Sequence, residues 1–482
     1  MQFNSYEFIL FFLPITVIGY FVLNRLNTIW GKIVIIIASI VFYSFGRVNM
    51  LIYLGVSLLI NYFAACLIGR RESLKKLFLT IPIVVNIGLL LYFKYLNFGI
   101  ENINNIFNKN IPTQNIVLPL GISFYTFQQI AYLVVVHQRK IEKNNLIDYL
   151  TYILYFPKLV MGPITDPVDF FKQLNSAELK KPNLINITIG IKLFSLGLIK
   201  KALLADTFAK AVSWGFNNID TMTAMDGVLL VLFYTFEIYF DFSGYSDMAV
   251  GISKMFNIDL PMNFDSPYKA LSIRDFWKRW HISLTKFLTT YIYIPLGGSR
   301  KGKCFTYINT MIVFLVSGLW HGANWTFVLW GILHGIFSCI DRIFDKKEEK
   351  IFTPVRWLGT FFVVSVLWLL FSSESISQWL QILSKIVRLE NTTVSKGMID
   401  VFNLPEFIFI YDIFRLNTLS VAIRGFSMLL FTLVASYICF VPQNNYRNKD
   451  TLNVGLLVIA SISFVWGILC LGSESTFLYF GF

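Results

Sequence analysis

Four histidines, His137, His281, His321 and His334, are the only imidazoles in 482 residues. Imidazole, with an unperturbed pKa of about 6.5, is the side chain best suited to take up and return a proton near neutral pH. His321 lies in Val316-Ser317-Gly318-Leu319-Trp320-His321-Gly322-Ala323-Asn324-Trp325, an apolar run whose small neighbours allow close approach of a backbone or a ligand. An ionisable group in such a run marks a functional site by default, with an interhelical hydrogen bond as the plainer alternative. His281 follows Phe276-Trp277-Lys278-Arg279-Trp280 and faces inward with Leu284 and Leu288, either as a working residue or as satisfied packing. His334 comes 13 residues after His321. On one continuous helix the two would point about 220° apart and could not form a metal pair, so His334 reads as structural. His137, beside Arg139 and Lys140, reads as a solvated boundary residue.

Glu237 and Asp241 share one helical face, and Asp247 follows the Ser243-Gly244-Tyr245 turn. Carboxylates in apolar surroundings must be protonated, paired with a cation or wetted. Two readings stand: an ion-pair network with Asp265, Asp275, Arg274, Lys278 and Arg279, or a proton relay. No GxSxG, Walker A or HExxH pattern occurs, which leaves serine hydrolase, nucleotide hydrolase and zinc protease chemistry without support. The five cysteines, Cys66, Cys304, Cys339, Cys439 and Cys470, are too scattered for a zinc site or a disulfide frame, and no metal is expected.

The elements that must hold these residues are set by composition. The chain is 56% hydrophobic, 17% aromatic and only 14% charged, with a mean hydropathy of +0.62. Soluble domains carry roughly 25% charged residues, so most of this surface faces lipid. The expected fold class is all-α, a polytopic membrane protein of about 10–12 transmembrane helices in a single domain, 1–482. The formal charge of +13 marks cytoplasmic loops rather than nucleic-acid binding. Without a basic n-region or a small-residue cleavage site, the first apolar run reads as a retained helix.

Runs of spanning length fall near 6–24, 30–46, 50–68, 77–96, 116–136, 146–164, 184–204, 227–252, 306–320, 323–341, 355–372, 418–441 and 452–472. Arg25 and Lys32 in the first connection, only Arg47 in the second, and Arg70, Arg71, Lys75 and Lys76 in the third put the N-terminus outside. His137-Gln138-Arg139-Lys140 and Lys143 follow the same parity. Lys200-Lys201 and the stretch 251–303, with nine basic and three acidic residues, both look cytoplasmic, and one span between them cannot serve both. The run 227–252 is too polar for lipid contact and predicts a broken or re-entrant element lining a protein cavity. Residues 272–294 predict a basic, tryptophan-rich amphipathic helix in the cytoplasmic interface, opened by a Ser272-x-x-Asp275 cap. Residues 373–415 predict a soluble loop with amphipathic pieces.

The order of these pieces resembles the membrane-bound O-acyltransferase (MBOAT) family, in its alginate O-acetyltransferase-like branch, with the D-alanyl transferases of teichoic acid more distant. The likeness rests on Pro119–Gln128, Phe156-Pro157-Lys158-Leu159-Val160-Met161-Gly162-Pro163-Ile164, Ile238–Asp247, Asn263–Tyr268, Phe276–Leu284, Tyr293–Gly298, Gly318-Leu319-Trp320-His321-Gly322 and the aromatic tail Phe477–Phe482. Departures are Leu288-Thr289-Thr290-Tyr291 where Leu-Arg-Asp-Tyr is usual, Glu237 for Gln, and His137-Gln138-Arg139 for Tyr-Arg-Gly.

The resemblance implies an MBOAT fold divided into N-terminal spans (1–114), a signature region (115–345) and C-terminal spans with a loop (346–482). It implies His321 as the catalytic histidine and His281 as the second signature position, with Trp277, Trp280, Trp320, Asp241 and Asp247 around the substrates. It further implies O-acetylation of an exported polysaccharide or cell-wall polymer by a multi-pass protein of the bacterial inner membrane. The donor would be acetyl-CoA or another acyl thioester, with no resident cofactor, and an SGNH-type acetyltransferase or other polymer-modifying protein would act outside. Competing readings are D-alanyl transfer to teichoic acid, a transporter or flippase, and an inert scaffold. Inverted repeats, expected of a transporter, are not visible.

Overall fold

The computed structural model describes residues 1–46, 48–70, 72–141, 145–176, 180–348, 351–404, 413, 420–472 and 477–478. Arg47, Arg71, Lys143, part of the 373–415 stretch and the Tyr479–Phe482 end of the aromatic tail lie outside the described residues. Among the described residues the fold is all-α, and the only strand-like pairing is a single antiparallel bridge between Phe264 and Trp280. Nine of the described helices are long and apolar enough to cross a membrane, and the 17-residue helix Thr28–Ser44 is a shorter apolar one. A chain this rich in spanning helices is a multi-pass membrane protein.

The chain forms two compact units: Met1–Leu196 with Tyr245–Met262 and Lys449–Ile462, and Gly197–Gly244 with Asn263–Asn448 and Ser463–Phe482. In the first, Asn27 caps the Thr28–Ser44 helix through Oδ1, which accepts from Ile29 N at 2.9 Å. Ser57, Asn61, Asn86 and Gln129 form a buried hydrogen-bonded group that joins the helices Met50–Arg70, Lys75–Phe107 and Ile122–His137. Such polar side chains tie helices together where lipid supplies no hydrophobic drive.

The run 146–164, expected to span, does not. Helix Leu146–Leu154 has nine residues, and the chain turns back through Phe156–Leu159 and Pro167–Leu174. Lys32 Nζ donates to both Asp148 and Asn175, so both ends of the excursion meet at one lysine. Its irregular backbone is answered within the protein: Phe156 N donates to Ser39 Oγ at 3.1 Å, and Tyr152 OH donates to Thr165 O at 2.9 Å.

The run 227–252 departs from expectation in the opposite sense. It is one uninterrupted helix, Ala224–Met255, with 78% of its most apolar window buried inside the protein. Part of its polarity is absorbed by pairing, while Glu237 Oε2 and Ser243 Oγ are buried without a hydrogen-bond partner among the described residues. Lys201 Nζ lies 2.6 Å from Asp241 and 2.8 Å from Asp206. Lys201 itself sits in a π-helical turn, Lys200–Ala205, between the helices Leu184–Ile199 and Asp206–Asn217. A Cβ on Gly244 would lie 2.8 Å from Gly197 O, so a side chain there would push the helices Ala224–Met255 and Leu184–Ile199 apart. Lys200-Lys201 is thus mid-helix and buried, not a loop marker. With 146–164 removed from the count as well, the conflict with the basic 251–303 stretch disappears.

The broken element of the second unit is instead the segment expected to be one continuous interfacial helix. Ser272 caps it as its pattern predicts, Oγ accepting from Asp275 N at 3.2 Å. The helix Ile273–Arg279 then stops, Trp280 pairs with Phe264, His281 turns the chain, and Ile282–Leu288 and the π-turn Thr289–Tyr293 follow. Ile273, Phe276, Trp277, Trp280, His281, Leu284, Phe287 and Leu288 are all buried. Asp265 N donates to Arg279 O at 2.9 Å and Ile282 N to Asn263 O at 3.0 Å. The helix breaks because the backbone at Asn263 and Asp265 supplies partners that a continuous helix would not use.

Candidate active site

His281 stands at the apex of this excursion with φ 45° and ψ 51°. That left-handed conformation costs a residue with a Cβ roughly 1–2 kcal/mol and survives where surroundings impose it, often at functional positions. Here Asn263 imposes it. Asn263 Oδ1 accepts from Ser283 N (3.2 Å) and Ser283 Oγ (2.7 Å) and lies 3.3 Å from His281 Nδ1. An oxygen that already accepts assigns the ring proton to Nδ1 and leaves the Nε2 lone pair unused by Asn263. Nε2 is buried without a partner among the described residues. The ring meets Phe242 edge-on at 4.7 Å and Trp320 at 6.0 Å between centroids.

His321 is the last residue of the helix Lys303–His321, which ends as Gly322 turns extended (φ −167°, ψ 161°). The next helix starts at Trp325, so His321 sits at a hairpin tip. A Cβ on Gly322 would fall 2.1 Å from the Phe327 ring, and the tip is therefore closed by an aromatic lid. Trp320 (4.8 Å), Trp330 (5.2 Å) and Phe371 (5.0 Å) enclose the imidazole in edge-to-face contacts. The two histidines flank the same Trp320 indole.

His334 lies on the second arm of the hairpin, so the single-helix geometry that would turn it away from His321 does not hold. Both rings pack on Trp330, His334 at 4.7 Å. Trp277 Nε1 donates to His334 Nδ1 at 3.2 Å. Trp280 forms the bridge to Phe264 and packs on Phe276 and Trp368. Of the expected site residues, His281, His321, Trp320 and Trp277 therefore converge. Asp241 is ion-paired, but with Lys201 rather than with the Arg274, Lys278 and Arg279 of the expected network, and it accepts from Leu478 N at 3.2 Å. Asp247 belongs to the first unit, where it is buried.

A cavity of about 260 Å³ opens beside Trp277, lined by Leu284, Leu288, Phe314, Ser317 and Ser338. Arg274, Lys278 and Arg342 stand at its edge. Ser317 is one helical turn from His321. Three cations around an apolar, partly hydroxylic hollow suit a ligand with an anionic head and a neutral arm. Among the described residues, no group of three or more His, Cys, Asp or Glu could hold a metal ion.

Sequence reasoning gave no role to Asn263, Phe242, Trp330 or Phe371. Asn263 acts 18 residues from His281 and Trp330 lies across a hairpin from His321. Neither relation leaves a periodic trace, and only the motif block containing Asn263 pointed near it.

The chain matches the model of the MBOAT, membrane-bound O-acyltransferase family, over residues 113–377. It is 34% identical to the peptidoglycan O-acetyltransferase of Helicobacter pylori over 523 aligned positions, covering all of this chain and 98% of that protein. It is 36% identical to a protein of Pseudomonas aeruginosa named probable alginate O-acetylase AlgI, over 78% of this chain and 73% of that one. A teichoic acid D-alanyltransferase of Streptococcus thermophilus is 32% identical over 50% of this chain and 60% of its own length.

Proposed function

The chain belongs to the membrane-bound O-acyltransferase family and is an O-acyltransferase; from that premise we propose that it moves an acetyl group from a thioester to a hydroxyl of an exported polysaccharide or peptidoglycan. The names of the two relatives that share most of its length support this acceptor class. D-alanyl transfer is the weaker reading, since that relative aligns with half the chain.

The carrying observation is the convergence of His281 and His321 on Trp320 inside an aromatic enclosure. In this reading His321 takes the proton of the accepting hydroxyl, on the polymer or on the partner that relays the group to it, as the oxygen attacks the thioester carbonyl. The carbon–sulfur bond breaks, and the proton passes to the leaving thiolate, so the exchange of ester for thioester balances. His281, pinned by Asn263 at the apex, offers Nε2 to the same space.

The two ends of the hairpin support a direction. Its Lys303 end lies with Arg300, Lys301 and the cationic cavity edge, and an excess of Lys and Arg marks a cytoplasmic face. The donor thioester thus arrives from the cytoplasm, and His321, at the far end of that helix, delivers toward the outside. A secreted SGNH-type partner carries the group onward, and the N-terminus is extracytoplasmic.

His321→Ala should lower transfer 10²–10⁴-fold, the usual worth of a general base, while insertion and yield stay unchanged. Near wild-type acetylation of the polymer by this variant would overturn the assignment. Single cysteines at Lys278 and Lys301, in a chain lacking the native five, should react only with reagent admitted to the cytoplasm. Labelling of both from outside intact cells would invert the proposed direction.

A further inference from the structure

Trp330, His334 and Ser338 recur at intervals of four along the helix Trp325–Glu348 and therefore stack on one stripe of its surface. Trp330 Nε1, His334 Nε2 and Ser338 Oγ are each buried without a hydrogen-bond partner among the described residues. The tautomer of His334 is set by its other nitrogen. An indole N–H can only donate, so Nδ1, which receives the Trp277 hydrogen, must be the acceptor and the neutral ring carries its proton on Nε2. All three atoms are then donors facing no acceptor. Buried polar atoms are nearly always satisfied, and three exceptions in a row on one stripe require an explanation that packing does not give.

The stripe leads from the cavity to the catalytic histidine. Ser338 lines the cavity, and Arg342, one turn further, stands at its edge. Trp330 at the other end touches His321. His334 lies just behind the cavity wall, its ring 5.0 Å from Trp277 and 6.2 Å from Phe314.

We propose that this stripe binds the carbonyl oxygens of the acyl thioester, with His334 Nε2–H donating to the thioester carbonyl beside His321. This inference rests on the reading of the cavity as the donor side. A thioester arm of the pantetheine type carries carbonyl acceptors along its length and enters once the Trp277 and Phe314 side chains part. As the hydroxyl attacks, the carbonyl oxygen gains negative charge and this hydrogen bond strengthens, with no proton leaving His334. Trp277 is a positioning residue that fixes the ring's tautomer.

The test compares calorimetric binding of acetyl-CoA and of S-ethyl-CoA, whose CH₂ replaces the carbonyl, to the full detergent-solubilised chain. Wild type should prefer acetyl-CoA roughly 2- to 10-fold, the worth of one neutral hydrogen bond. His334→Phe should bind S-ethyl-CoA as wild type does and lose the preference. His321→Ala should keep it, and Trp277→Phe should retain only part of it. A folded His334→Phe chain that keeps the full preference overturns the inference and leaves the donor reading standing. Should His334→Phe fail to fold, an undiminished preference in Trp277→Phe overturns it instead. Failure of wild type to bind either compound overturns both.

Discussion

The helix Ala224–Met255 and the segment 263–298 both place polar residues among apolar ones, and they solve the same electrostatic problem in opposite ways. The helix satisfies its own backbone, and Lys201 supplies a cation to its Asp241. The segment interrupts its backbone, and Asn263 and the Phe264–Trp280 bridge must answer the freed groups. In the first, the Asp241 charge is neutralised by a partner. In the second, polarity is held open, with His281 Nε2 turned toward no partner among the described residues.

Removing the counter-charge should break the first arrangement most severely. Lys201→Ala is expected to destabilise the folded chain by about 3–5 kcal/mol, because the buried Asp241 carboxylate loses its cation. The paired change Lys201→Met with Asp241→Leu should recover most of that loss. Thermal denaturation of the solubilised protein measures both. Acetylation by the double variant near the wild-type level, per folded molecule, would confirm that Asp241 works through structure alone; a collapse of transfer at full stability would restore it to the substrate site.

Asn263→Ala removes the acceptor that organises the apex and should cost roughly 1–3 kcal/mol. Transfer should fall further than stability predicts, since the His281 ring loses its tether. His281→Asn is the finer probe. Asparagine tolerates the left-handed conformation, so melting should shift little while transfer drops sharply. If melting falls as much as transfer does, His281 is a packing residue.

The smallest effect concerns the connections outside the spans. Arg447 lies 2.6 Å from Asp265, and its hydrogen bonds hold that carboxyl below the ordinary range. The hydrogen bond from Lys254 and the charge of Lys449 outweigh burial and do the same for Asp259. A depressed carboxyl pKa stabilises the fold fully above the unfolded value, about 3.9, and the contribution is lost as pH falls through the folded value. Melting should therefore be flat in this respect from pH 7 to 5 and decline below pH 4, less steeply in Arg447→Gln. A decline already complete at pH 5 would contradict these shifts.

The spans, the histidines and the Ser272 cap were legible because each is written in a local pattern: apolar runs, a rare residue type, a four-residue motif. Lys200-Lys201 was misleading for a physical reason. A lysine pair beside an apolar run looks the same whether it meets water or an aspartate 40 residues away, as Lys201 meets Asp241. The run 146–164 has the apolarity of a span, yet Pro157, Pro163 and Lys32 at its base turn it back. The break at His281 was hidden because the periodicity from Phe276 to Tyr291 continues through it. Only the distant Asn263 tells the two arrangements apart.

The shortness of the apex helices bears on how the chain is made. A segment leaves the protein-conducting channel for lipid by itself only if it is long and apolar enough. Ile273–Arg279 and Ile282–Leu288 have seven residues each and carry Arg274, Lys278 and Lys286. They cannot partition alone. They must be drawn inward after the Lys303–His321 hairpin and the Ala224–Met255 helix stand ready to receive them, so the site that holds His281 is among the last parts of the molecule to form, and a ribosome stalled before the hairpin leaves it unbuilt.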